Sequence, residues 1–120
     1  MGVVLVADDE QPVRSVASWT LESHGHQVLT ASNGVEAVAL FRSSPDSIDL
    51  VVTDLKMPVM DGHEVVRLIR ETRSNAKIIC TSGFTDEHCP PDVVFLPKPF
   101  TPNELRATVN RLLGNSRGPD

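Results

Sequence analysis

The fold of this 120-residue chain is decided by the stretch Val51-Val52-Thr53-Asp54-Leu55-Lys56-Met57-Pro58-Val59-Met60-Asp61-Gly62. An apolar run ends at Asp54, and Pro58, Asp61 and Gly62 then break the backbone. Because strands buried on both faces of a parallel sheet have near-continuous apolar sequences, this run predicts a buried strand. Asp54 is therefore predicted to lie at the mouth of that strand.

The same pattern recurs along the chain, where short apolar runs alternate with segments of helical period. Helices are predicted from Gln11 to Ser23, after Asn33-Gly34, from about Asp61, and from the capping box at Thr101 to Glu104. In the first of these helices, an apolar stripe is expected to face the core, formed by Val13, Val16, Ala17, Thr20 and Leu21. Such alternation is typical of an α/β domain, in which helices cover both faces of a parallel sheet. The predicted strands are Val3-Ala7, Gln27-Ala31, Leu50-Thr53, Ala76-Thr81 and Val93-Leu96.

The segment from Gly83 to Asp92 departs from this pattern. A crossover between parallel strands usually takes a dozen or more residues, most of them helical. Here the paired prolines Pro90-Pro91 leave room for at most one or two helical turns. The fourth helix of the domain is therefore predicted to be short or missing.

Length and composition indicate one globular domain, predicted to span residues 1–114, with a frayed tail or linker start at 115–120. The formal charge of -5 argues against a direct nucleic-acid partner, which needs clustered Lys and Arg. No apolar stretch approaches the roughly 20 residues of a membrane span, and no secretory signal is visible. We therefore expect no membrane association and a cytoplasmic location.

Three other polar groups also follow apolar runs: the acidic cluster Asp8-Asp9-Glu10, the hydroxyl of Ser82 and the amine of Lys98. Together with Asp54, they make the chain resemble the receiver domain of two-component response regulators, from Val3 to about Leu113. The resemblance implies a doubly wound, flavodoxin-like α/β fold. Its five parallel strands would have the order 2-1-3-4-5.

Under that strand order, Asp8, Asp9 and Asp54 would converge at the carboxyl ends of neighbouring strands. Crowded carboxylates repel one another unless a cation lies among them, and oxygen ligands suit Mg2+, or Mn2+, better than Zn2+. The resemblance implies that Asp9 and Asp54 ligate the metal directly, together with the backbone carbonyl of Lys56. Asp8 would contribute through water.

The resemblance also assigns the phosphoryl chemistry. Asp54 would be the phosphoacceptor, Lys98 would pair with the acyl phosphate, and Ser82 would donate a hydrogen bond to a phosphoryl oxygen. Thr81 competes with Ser82 for that role. Phe95 falls where the family carries its switch aromatic, although an apolar residue in a strand is also typical of a core.

The expected function is therefore that of a phosphoaccepting receiver in a two-component system or phosphorelay. Its partners would be a histidine kinase or histidine phosphotransfer protein and an unidentified output domain or partner. The domain would be a signalling module rather than an enzyme, catalysing only its own phosphorylation and dephosphorylation. Phosphorylation would change the surface that the output partner reads.

Two other functions stay open. The unusual crossover at 83–92 leaves open a receiver-like protein-binding module that signals without phosphorylation, although the complete set of site residues argues against it. A metal-dependent phosphohydrolase with an aspartyl nucleophile is the other, but a D-x-D motif would be expected and Asp54-Leu55-Lys56 lacks the second aspartate. In isolation, Asp8-Asp9-Glu10 are also explained as acids that cap a helix.

Overall fold

A computed structural model describes residues 2–83, 90 and 92–114. The described residues form five strands and four helices in alternation. The strands are β1 (Val3–Ala7), β2 (Gln27–Ala31), β3 (Leu50–Asp54), β4 (Ile78–Ser82) and β5 (Val94–Pro97). The helices are α1 (Gln11–Glu22), α2 (Gly34–Ser43), α3 (Gly62–Thr72) and α4 (Pro102–Leu112).

The strands form one parallel sheet in the order β2-β1-β3-β4-β5, which confirms the fold expected from the resemblance. In the register of the sheet, Ala7 pairs with Thr53, and Asp54 pairs with Thr81. The carboxyl ends of β1, β3, β4 and β5 therefore lie along one edge of the sheet. The polar residues that follow these strands are brought to that edge.

The apolar strands are explained by a core on each face of the sheet. Successive strand residues point to opposite faces, so Leu5 and Val51 pack towards α2 and α3, while Val4 and Val52 pack towards α1 and α4. Phe41, from α2, is 1% exposed in the first core. Because both faces are covered, the central strands β1 and β3 are apolar up to the edge, apart from Thr53 just before Asp54.

Three helices begin at a side-chain cap, as their sequences predict. Asn33 caps α2 and Asp61 caps α3, and Thr101 forms with Glu104 the predicted capping box of α4. The first helix is different, because its N-cap residue, Glu10, makes no side-chain capping hydrogen bond.

The predicted apolar stripe of α1 is only partly buried. Ala17, Thr20 and Leu21 are buried, but Val16 is 44% exposed and the unpredicted Trp19 is 67% exposed. Val16 was expected on the inner face, and that expectation is wrong. Its side chain instead borders a surface hollow that is described below.

The crossover between β4 and β5 carries no helix in the residues that are described there, which are 83, 90, 92 and 93. Most of the predicted short or missing fourth helix falls on 84–89 and 91, outside the described residues. The predicted tail at 115–120 also lies outside them. Within the described part of the chain, none of the helices is both long and apolar enough to cross a bilayer.

Candidate functional site

Four strand ends bring the predicted site residues together. Asp8 and Asp9 follow β1, Asp54 is the last residue of β3, Ser82 is the last residue of β4, and Lys98 follows β5. Asp8 and Asp54 are buried, whereas Asp9 is exposed. The site is therefore a rim of acidic side chains at the carboxyl ends of buried strands.

Lys98 lies at the centre of this rim. Its Nζ is 2.9 Å from Asp8 Oδ2, 3.0 Å from Asp54 Oδ2 and 3.2 Å from Glu10 Oε1. The backbone N–H of Lys98 donates to the carbonyl of Ser82 at 2.8 Å, which fixes the start of the lysine side chain at the sheet edge. One ammonium thus bridges β1, β3 and the N-terminus of α1.

Burial and charge act in opposite directions on the buried groups. Burial raises the pKa of Asp54 above its ordinary value, although the hydrogen bond and charge of Lys98 oppose this shift. Burial alone would lower the pKa of Lys98, but hydrogen bonds to Asp8 and Asp54 outweigh it and raise that pKa. Lys98 is therefore a permanent cation at neutral pH.

The acidic cluster has the donors that a hard divalent cation requires. Carboxylate oxygens of Asp8, Asp9 and Asp54 all lie within 4.8 Å of one another. One ammonium does not neutralise these three carboxylates and Glu10, so the cluster keeps an excess of negative charge. An oxygen-only donor set with uncompensated charge fits Mg2+ or Mn2+.

The loop after β3 holds Asp54 in place through close backbone contacts. Lys56 N–H donates to Asp54 Oδ1 at 3.3 Å, and Gly62 N–H donates to the Leu55 carbonyl at 3.0 Å. A Cβ added to Gly62 would lie only 2.4 Å from the Asp54 carbonyl oxygen. The start of α3 is therefore packed directly against the end of β3, and a glycine is required there.

The two candidate hydroxyl residues point to different faces of the sheet. Phe95 pairs with Cys80, and Ser82 lies two residues beyond Cys80, so Phe95 and Ser82 share a face. Thr81 pairs with Asp54 and with Leu96, on the other face. Phe95 is half-buried and packs against the core under α2 and α3.

A small hollow opens at the rim, and we call it the acceptor hollow. Its volume is about 290 Å³, and it lies against both Asp54 and Lys98. The residues that line it are Asp9, Glu10, Asp54, Lys56, Gly83 and Lys98. It offers space for a small anion beside the buried carboxylate and the ammonium.

A second hollow adjoins the first, and we call it the apolar hollow. It has a volume of about 540 Å³, and its surface is mainly apolar. Glu10, Gly83 and Lys98 line both hollows. The residues that line the apolar hollow are Glu10, Pro12, Val13, Val16, Gly83, Lys98, Pro99 and Phe100.

Two contacts at the rim had no counterpart in the sequence analysis. Glu10 was grouped with the acids and was considered only as a helix-capping acid, but it makes no capping hydrogen bond and contacts Lys98. Arg14 donates to the Asp8 carbonyl at 2.6 Å and ties α1 to the end of β1. Spacing alone carries no signal for either contact, because both depend on where long side chains reach after folding.

Comparison with known proteins agrees with this geometry. The family model of the response regulator receiver domain matches residues 4–110. Sensor kinase CckA of Brucella abortus (strain 2308) is 37% identical over 116 residues, which cover 92% of this chain and 12% of that kinase. Response regulator SaeR of Staphylococcus aureus (strain USA300) is 29% identical over 119 residues, which cover 92% of this chain and 50% of that protein.

A solved structure shares the fold as well. The response regulator protein TrrA from Thermotoga maritima, in complex with Mg2+ and BeF, has a TM-score of 0.83 and 33% identity, covering 93% of this chain and 99% of that chain. The present chain spans half or less of the length of CckA and SaeR. The fold, the acidic rim and the family match together show that the chain belongs to the response regulator receiver domain family.

Proposed function

We propose that this receiver domain accepts a phosphoryl group on Asp54 from a phosphohistidine of a partner protein. The observation that carries the proposal is the position of Asp54, which is buried at the end of β3, 3.0 Å from the Lys98 ammonium and beside the acceptor hollow. The reaction forms a bond from an Asp54 oxygen to phosphorus. It breaks the phosphorus–nitrogen bond, and the imidazole leaves with the electron pair.

Asp54 requires no general base, because the attacking group is a carboxylate. Burial raises its pKa, but the neighbouring Lys98 cation favours the ionised form. The Lys56 N–H holds Oδ1, and Lys98 holds Oδ2, so the carboxylate has one fixed orientation. Orientation of this kind contributes to rate by removing the entropy of alignment.

Lys98 and Ser82 would stabilise the product. One N–H of Lys98 would donate a hydrogen bond to a phosphoryl oxygen, and the Ser82 hydroxyl would donate a hydrogen bond to another phosphoryl oxygen. Ser82 is preferred to Thr81 because it shares a sheet face with Phe95. If Ser82 moves towards the phosphoryl group, Phe95 can fill the space on that same face and change the surface that an output partner reads.

The metal proposed for the site is Mg2+, with Mn2+ as a substitute. Asp9 and Asp54 would hold it directly, the Lys56 carbonyl would complete the protein ligands, and Asp8 would act through water. When bound, Mg2+ neutralises charge on the transferring phosphoryl oxygens. The similar protein TrrA was solved with Mg2+ and BeF, an anion of phosphoryl-like shape, which supports the proposal.

The partner that donates the phosphoryl group is proposed to bind over the apolar hollow. That hollow shares the lining residues Glu10, Gly83 and Lys98 with the acceptor hollow. A protein that covers it with an apolar surface would place a histidine side chain beside Asp54. A histidine kinase or histidine phosphotransfer protein has the required chemistry, and a cytoplasmic location stays a prediction.

The test is intact mass after incubation with Mg2+ and acetyl phosphate. We expect a gain of about 80 Da, the mass of one phosphoryl group, in the wild-type chain. Neither Asp54→Asn nor a metal-free sample should gain it. If the folded wild-type chain binds Mg2+ but gains neither a phosphoryl group nor beryllofluoride, it is a binding module that signals without phosphate.

A further inference from the structure

The side chain of Glu10 pairs with Lys98 instead of capping helix α1. The side chains preferred at an N-cap, those of Ser, Thr, Asp and Asn, accept a hydrogen bond from a backbone N–H in the first turn. Glu10 is the N-cap of α1, yet its side chain makes no such bond. Its Oε1 instead accepts from Lys98 Nζ at 3.2 Å.

This contact is not forced by burial. The Glu10 side chain is 61% exposed, whereas the Lys98 side chain is 15% exposed. The Glu10 carboxylate therefore stays in contact with water while it pairs with the ammonium. An exposed ion pair of this kind is stabilised weakly, so it is easily exchanged for another partner of Lys98.

The contacts of the ammonium with described residues match the number of its donors. A lysine ammonium has three N–H donors, and Lys98 Nζ contacts Asp8 at 2.9 Å, Asp54 at 3.0 Å and Glu10 at 3.2 Å. An anion that enters the acceptor hollow can bind Lys98 only by displacing one of them. Asp8 and Asp54 are buried, so Glu10 is the acceptor that can return to water.

We propose that Glu10 is a positioning residue that competes with the incoming phosphoryl group for Lys98. The inference rests on the proposed function of Asp54. Without phosphate, Glu10 holds the ammonium towards the N-terminus of α1. An anion beside Asp54 must separate this pair, so Glu10 weakens the binding of the anion.

The test compares Glu10→Gln and Glu10→Asp with the wild-type chain. Glu10→Gln removes the charge, whereas Glu10→Asp keeps the charge on a side chain that is one methylene shorter and is expected to lose the contact with Lys98. Glu22→Gln, which removes a charge at the far end of α1, is the matched control. Each protein is titrated by calorimetry first with Mg2+ and then, at saturating Mg2+, with beryllofluoride.

We expect both Glu10 variants to bind beryllofluoride about two- to fivefold more tightly than the wild type, the range of an exposed ion pair. Glu22→Gln should bind it as the wild type does. If Glu10→Asp matches the wild type, charge rather than contact matters and the inference is wrong. Equal affinities for all four proteins would also overturn it.

A failure of the proposed function can be distinguished from a failure of the inference about Glu10. In that case the wild-type chain itself would bind no beryllofluoride and would gain no phosphoryl mass from acetyl phosphate. Thermal unfolding of each variant verifies that it is folded before titration. Because Glu10 is exposed and makes no capping bond, neither substitution removes a contact of the core.

Discussion

At the scale of single residues, Asp54 combines burial with charge, and this combination costs stability. Its pKa is raised by burial, so the folded state disfavours the ionised form relative to the unfolded state. Asp54→Asn replaces the carboxylate by a neutral group of similar shape. Without divalent metal, we expect this variant to be more stable than the wild type by about 1 kcal/mol at pH 7, the free energy that corresponds to a typical pKa shift in a folded protein.

Because the pKa of Asp54 is raised, the stability difference between Asp54→Asn and the wild type should depend on pH. A carboxyl group with a raised pKa lowers stability only above its ordinary value of 3.8, and the full cost appears above its folded-state pKa. The advantage of Asp54→Asn should therefore shrink as the pH falls towards 4. Urea unfolding at several pH values measures it, with the exposed Asp46→Asn as control. A less stable Asp54→Asn at pH 7 would show that the pair with Lys98 outweighs burial.

At the scale of elements, the junction between β3 and α3 determines where Asp54 lies. A Cβ on Gly62 would be 2.4 Å from the Asp54 carbonyl oxygen and 2.7 Å from the Leu55 Cα, both of which belong to the backbone. Gly62→Ala should cost about 2 kcal/mol of stability, because a backbone clash is relieved only by moving the strand end. It should also slow phosphorylation by acetyl phosphate.

Gly83→Ala is the matched control for this junction. Among the described residues, nothing lies within 4 Å of a Cβ added at Gly83, so the free energy of unfolding of Gly83→Ala, measured in urea, should stay within about 0.5 kcal/mol of the wild type. A Gly62→Ala protein as stable as the Gly83→Ala protein would contradict the close packing of α3 on β3.

The elements also show what the sequence can and cannot predict. The predicted bounds of β1 and β2 are those of the structure, because both runs are mainly apolar and are followed by polar residues. Predicted strand order depended on the family resemblance, since the residues alone do not reveal which strands pair. Val16 was misplaced because helical period predicts a stripe but not its edges. The contact of Glu10 with Lys98 required the folded positions of two long side chains.

The exposed face of α1 allows the proposed partner surface to be tested. Val16 borders the apolar hollow and is 44% exposed, so Val16→Glu should fold normally but repel an apolar partner. With a histidine kinase core that phosphorylates the wild-type chain, we expect phosphotransfer to slow about tenfold. Phosphorylation by acetyl phosphate should not change, because the small donor needs no docking surface.

The same substitution at another exposed valine is the control for that experiment. Val35, at the start of α2, is 49% exposed and does not line the hollow. Val35→Glu should accept the phosphoryl group from the kinase as fast as the wild type does. If phosphotransfer from the kinase slows equally in Val35→Glu and Val16→Glu, the loss reflects added charge. If it slows in neither variant, the partner binds elsewhere.

At the scale of the whole molecule, the site exists only when the sheet is complete. Asp8 and Asp9 follow β1, Asp54 ends β3, and Lys98 follows β5 at the edge of the sheet. The two cores hold these strand ends in register from opposite faces. The unfolded chain therefore cannot bring the same carboxylates within 4.8 Å of one another, and a cation that needs them binds the folded state alone.

This selectivity gives the last prediction, in which Mg2+ stabilises the whole fold. A ligand that binds only the folded state adds about 2.7 kcal/mol at one hundred times its dissociation constant. Urea unfolding with Mg2+, at ionic strength matched by NaCl, should show this gain for the wild type. Asp9→Asn should lose most of it because that substitution removes a proposed ligand. Without metal, the variant should be at least as stable as the wild type, since Asp9 is exposed and its charge adds to the repulsion within the acidic cluster. An equal gain in both proteins would place the bound Mg2+ outside the acidic cluster, and Asp54 would then face the phosphoryl group with Lys98 as its main cation.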